Sequence, residues 1–127
     1  MPLDISLSGW NPFSKSISLH ADGYYFYLYP LFVELAKQTG KMIDLYAESE
    51  FKTDSLPALK ATLAKAKHLV DAQPEDWDVK TGWTDESKTV PMLDRVNKDR
   101  FVHLLDDWTN MVNTAITKGQ TIRCVGD

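Results

Sequence analysis

The clearest pattern of apolar and polar positions lies between Asn97 and Lys118. Phe101, Leu104, Leu105, Trp108, Met111, Val112, Ala115 and Ile116 recur there at steps of three and four. At about 100° per residue they fall within an arc of roughly 140°, the width of a stripe by which a helix packs on a core. Asn97 stands at the N-cap position, Asp99 lies in the first turn, and Lys118-Gly119 supply a basic last turn and a C′ glycine. The spacing predicts a helix over 97–118.

Period-two patterns occur elsewhere. Leu3, Ile5 and Leu7 alternate with Asp4, Ser6 and Ser8, and Ile17 and Leu19 alternate with Ser16, Ser18 and His20. Gly9-Trp10-Asn11-Pro12 is a turn cluster between them, so strands over 3–7 and 15–20 form a hairpin with one solvated face. Asp22 caps a short helical turn over 23–29, and Pro30, which cannot donate a backbone hydrogen bond, opens a helix running to Gln38 and ended by Gly40. Residues 41–51 read either as a short strand over 42–46 or as a structured loop with Tyr46 and Phe51 packed inward. Asp54-Ser55-Leu56-Pro57 is a helix start. The stripe Leu56, Leu59, Leu63, Ala66 and Val70 follows it, and Gln73-Pro74 stops the helix near 72.

Trp77 to Trp83 alternates as a strand, 84–87 is a polar turn, and Lys88 to Val96 is a partner strand in which Pro91 marks an edge or a bulge. Residues 121–125 read as a last short strand. The order is β-β-α-(β)-α-β-β-α-β. No repeat or linker divides the chain, so the expected fold is a single α+β domain over 1–127. Its sheet is mostly antiparallel, with about three helices packed on one face.

Composition narrows the function classes. The chain has 127 residues, with 43% hydrophobic and 25% charged, and so is expected to bury an ordinary core. Its net charge is −4 with no basic arm, which argues against a nucleic-acid partner. No apolar run approaches the about 20 residues needed to span a bilayer, and no leader-like segment opens the chain, so no membrane partner is expected. The lone Cys124 cannot form an intrachain disulfide, and a cytoplasmic setting is expected.

Candidate chemistry is sparse. Asp99, Asp106 and Asp107 lie within helical reach of His103, but these groups sit opposite the apolar stripe, as a solvated helix back does. His20 with Asp22 marks a strand end and helix start, and His68 lies among lysines on an exposed helix side. Cys124 sits in a strand that is expected to be buried. No HExxH, CxxC, GxSxG or phosphate-loop motif occurs, so neither a metal nor a cofactor nor a catalytic residue is expected.

Acidic clustering carries more. Asp44, Glu48, Glu50 and Asp54 stand within 44–54 against Lys52 alone; Asp71, Glu75, Asp76, Asp78, Asp85 and Glu86 stand within 71–86 against Lys80 alone. The second cluster is interleaved with Trp77 and Trp83, which share a strand face. They either face the core, leaving the acids merely to solubilise, or form an anchor ringed by carboxylates for a basic protein partner. The partner surface expected on the second reading comprises Asp44, Tyr46, Glu48, Glu50, Glu75, Asp76, Trp77 and Asp78.

In size, charge and architecture, though in no motif, the chain is similar to the immunity proteins of bacterial toxin systems. Those are small acidic proteins that neutralise a toxin by covering its active site. The expected function is therefore a non-enzymatic acidic protein-binding domain of immunity or antitoxin type. The alternative is a small enzyme or ligand-binding domain with a pocket lined by Tyr24, Tyr27, Tyr46 and His20. A third option is a homodimer formed through the aromatic segment 24–29.

Overall fold

A computed structural model describes residues 3–7, 16–19, 22–83 and 86–126. The proposed turn over 9–12, His20 and Asp85 lie outside the described residues. The elements run β1 (Leu3–Leu7), β2 (Ile17–Leu19), α1 (Asp22–Thr39), β3 (Glu48–Phe51), α2 (Leu56–Asp71), β4 (Asp76–Trp83), β5 (Pro91–Asn97), α3 (Lys98–Lys118) and β6 (Ile122–Val125). This is the expected α+β order. The strands form two antiparallel sheets, a four-stranded one in the order β2-β1-β6-β3 and a two-stranded ribbon of β4 and β5.

α3 matches the reading of its sequence at both ends. The Asn97 side chain accepts a hydrogen bond from the Arg100 amide at 2.9 Å, and Gly119 adopts φ 66 where the left-handed C-cap requires it. Phe101, Leu105, Trp108, Met111, Val112 and Ala115 are buried, while Leu104 is half-buried and Ile116 is exposed at the rim. The stripe faces β1, β2 and β6 on one side and β5 on another, and α2 packs along it.

Other segments depart from the sequence reading. α1 does not restart at Pro30; it is one helix through that residue. An interior proline forfeits a hydrogen bond and costs about 3 kcal/mol. Burial on both sides offsets this: Tyr24, Tyr25 and Leu28 precede the proline and Leu31, Phe32 and Leu35 follow it, all in the core. In the 41–51 segment the strand is Glu48–Phe51 rather than 42–46, because pairing with β6 decides it (Glu50 opposite Arg123, Phe51 opposite Ile122). Phe51 is buried as expected, but Tyr46 is turned out to solvent. Ser55 precedes α2 without a side-chain cap; its hydroxyl donates instead to the Lys52 carbonyl at 3.1 Å.

The ribbon is joined to the body at the start of α1. Asp22 is the first helical residue rather than a cap, and the Gly23 amide donates at 2.8 Å to the carboxylate of Asp94, 71 residues away on β5. A negative group at this end also suits the helix dipole. Gly23 is required there because a Cβ would come within 2.9 Å of Val96 Cγ1. Nearby, the Asn97 amide donates to the Tyr24 hydroxyl at 3.2 Å, and the Lys98 amide donates to the Glu75 carbonyl at 2.8 Å.

Three outcomes test this arrangement and the burial of Cys124. Asp94→Ala is expected to cost about 1–2 kcal/mol in urea unfolding, the size of a lost helix cap. Asp78→Ala on the same ribbon, which loses only an exposed pair with Arg95, should cost under about 1 kcal/mol. Burial pushes the Cys124 thiol from 9.0 up to about 12. The unfolded chain therefore loses this proton first, and stability should fall as pH rises from 9 towards 12. Thermal unfolding across that range should show the decline, and Cys124→Ala should lessen its slope. The native thiol should also resist a thiol reagent near neutral pH and react once unfolded.

Candidate functional site

The expected acidic surface is divided between the two sheets. On the solvent side of the four-stranded sheet, Arg123 of β6 lies between the carboxylates of β3. Its Nε donates to Glu48 Oε1 at 2.6 Å, diagonally across the pair, while Glu50 stands directly opposite. The Arg123 hydrogen bond holds the Glu48 carboxyl below its ordinary range. Glu50 Oε1 accepts from the Thr121 hydroxyl at 2.9 Å. Asp44 closes a local turn by accepting from the Tyr46 amide at 2.8 Å. Tyr46 itself is 70% exposed. Glu48 and Glu50 are exposed, but a cation of the protein's own, Arg123, already sits between them.

Glu75, Asp76 and Asp78 lie at the base of the ribbon. Asp76 accepts from the Asn97 side-chain amide at 3.1 Å, and Asp78 pairs with Arg95 at 3.3 Å. Trp77, named with them in the expected partner surface, turns instead towards the core. It is half-buried, stacked on Phe101 at 6.1 Å with 6° between the rings and edge-on to Tyr27. Its even-numbered neighbours Asp78 and Lys80 point outward.

The two tryptophans were expected on one face, and a bulge separates them. Lys80 pairs with Leu93 but Gly82 with Met92, so β4 carries one extra residue. One inserted residue reverses the alternation beyond it. Trp83 therefore emerges on the outer face, 38% exposed, with the Lys80 amine 3.6 Å from its ring centroid. Leu93, 59% exposed, shares that face, while Met92, paired with Gly82, is exposed on the opposite one and Val90 is exposed just before the strand. These apolar residues were missed as site residues. The sequence signal was available in Val90, Met92 and Leu93 around Pro91, in a strand to which no further strand was assigned.

A tyrosine-lined groove is present, lined by the expected Tyr46 together with Tyr25 and Tyr29 rather than Tyr24 and Tyr27. Tyr24 and Tyr27 pack against Phe101 at 4.9 and 5.5 Å, inside the core. His20 lies outside the described residues. The groove is an open space of about 620 Å³, formed on one side by Tyr25, Phe26, Tyr29, Val33, Ala36 and Lys37 of α1. Met42, Asp44, Leu45 and Tyr46 form the other side. The buried Tyr25 hydroxyl donates to the Ile43 carbonyl at 2.8 Å, tying the two walls together. Burial, reinforced by the Asp44 charge, pushes this phenol up to about 12. Of the five aromatics at 24–29, Tyr24 and Tyr25 are buried, Phe26 and Tyr27 half-buried and Tyr29 exposed.

Of the histidines, His103 and His68 are described. His103 Nδ1 lies 2.8 Å from the Asp99 carbonyl rather than against a carboxylate, and Asp106 bridges to Lys67 of α2 at 2.9 Å. His68 is exposed. No group of three metal-binding side chains is found among the described residues.

The wall at 44–46 also depends on Gly126. Its amide donates to the Ala47 carbonyl at 2.9 Å, and a Cβ there would lie 2.2 Å from the Leu45 carbonyl carbon. Because the obstructing atoms are backbone, Gly126→Ala should displace 44–47. The expected readouts are moved Tyr46 ring resonances and a loss of about 1–3 kcal/mol in denaturant unfolding, the usual cost of overpacking.

Compared with family models, with curated proteins and with solved structures, the chain matches none, so its function rests on the residues themselves.

Proposed function

We propose that this chain is a non-enzymatic protein-binding domain of the immunity or antitoxin type that occludes a basic toxin or effector. Its contact surface is the outer face of the β4–β5 ribbon. The observation that carries this reading is the exposed apolar pair Trp83 and Leu93 on a ribbon face that no other described element is seen to cover. Apolar side chains of this kind supply affinity when a partner excludes water from them. Glu75, Asp76 and Asp78 at the base of the same strand, within a chain of net charge −4, supply long-range attraction for a basic partner.

Glu48 and Glu50 contribute to the overall field rather than to the contact, since Arg123 lies between them. No described helix is long and apolar enough to cross a membrane, in keeping with action on a dissolved partner. The proposed setting is the cytoplasm.

The test is calorimetry with the basic effector encoded beside this chain's gene. A complex is expected at low salt, with association slowed as salt rises. Leu93→Asp or Trp83→Ala should weaken it by at least about tenfold. Substituting Lys for Asp76 and Asp78 together should mainly slow association. Absence of a complex at low salt would overturn the proposal.

A further inference from the structure

The groove between α1 and residues 42–46 makes no contribution to the ribbon surface, and its chemistry differs. Four aromatic residues line it, Tyr25, Phe26, Tyr29 and Tyr46, and two of them keep large exposed areas, Tyr29 at 44% and Tyr46 at 70%. Val33, Ala36, Met42 and Leu45 complete an apolar floor. A volume of about 620 Å³ lies within the range of about 300–1,000 Å³ that small-molecule sites occupy.

The lining of the groove includes one carboxylate, Asp44, and one amine, Lys37. The Asp44 charge acts on the Tyr25 phenol, and the Tyr25 and Tyr29 rings lie 6.1 Å apart. Lys37 lies eight residues beyond Tyr29 on α1, about 12 Å along the helix axis. Aromatic faces attract cations through their quadrupoles, and a carboxylate beside them adds direct charge attraction. The walls are fixed in advance by the Tyr25–Ile43 hydrogen bond, the Asp44–Tyr46 turn and the seat of Gly126 beneath Leu45. Less ordering is then required when a ligand enters.

We propose that this groove binds a small organic cation, its charged end beside Asp44 among the rings of Tyr25, Tyr29 and Tyr46 and its apolar body on the floor towards Val33 and Met42. The occupant is a quaternary or protonated amine with an aromatic or aliphatic body. The proposal is independent of the partner-binding reading, which rests on the ribbon.

Benzyltrimethylammonium is the probe, followed by calorimetry and by the tyrosine ring resonances, with Tyr29→Phe and Tyr46→Phe assigning the two exposed rings. Benzenesulfonate, of similar body and opposite charge, is the comparison. Saturable binding of the cation is expected, with shifts at Tyr29 and Tyr46. Asp44→Asn should weaken it about fivefold, the worth of an exposed charge pair, since asparagine can still accept from the Tyr46 amide and keep the turn. Tyr46→Ala should weaken it by about threefold to tenfold through the lost ring face. Tighter binding of benzenesulfonate would place the recognition at Lys37 and overturn the proposal. So would the absence of saturable cation binding, or cation binding that Asp44→Asn leaves unchanged.

Discussion

The apolar stripe of α3 must be covered, and the rest of the molecule is arranged by how this is done. Phe101, Trp108 and their neighbours are almost wholly removed from water, and no single element could achieve that. The four-stranded sheet lies against the stripe, α2 packs along it, and at its first turn Phe101 meets Tyr24 and Tyr27 of α1 and Trp77 of the ribbon. Phe101 is thus the point where helices and ribbon share a core. Removing an aromatic from such a site costs about 3–5 kcal/mol, a large part of a domain's net stability.

That shared core explains how a two-stranded ribbon persists beside a separate sheet. An isolated hairpin is marginal in water. Here its inner face is anchored by Trp77, Val79 and Val96, and its strand β5 supplies the Asp94 carboxylate that receives the first turn of α1. The outer face is left with no described element across it. The same anchoring releases that face for contact, so a structural requirement on one side of the ribbon creates an exposed apolar surface on the other.

A similar division of labour operates along α1. Its inner face is committed to the core, while Tyr25, Tyr29 and the turn of the helix towards Lys37 border the groove. Tyr25 belongs to both. Its ring is buried among Phe26 and Phe32, and its hydroxyl holds the opposite groove wall. The groove is a by-product of tying residues 42–46 back onto the helix.

Sequence by itself determined α3 down to its caps, the strands that alternate cleanly, the α+β order and the buried fate of Cys124. In each of these the deciding forces are local, namely backbone periodicity, a capping side chain and a glycine at positive φ. Tertiary structure decided what depends on distant partners. Pairing with β6 made Glu48–Phe51 a strand despite its polar composition, and burial on both sides carried α1 through Pro30. One extra residue opposite β5 turned Trp83 outward while Trp77 stayed inside, and Arg123 came to lie between Glu48 and Glu50, 75 residues from the former. Acidic and aromatic residues were legible as candidates from composition. Which of them meet solvent follows from strand register and ion pairing between segments far apart in the chain, which no local pattern encodes.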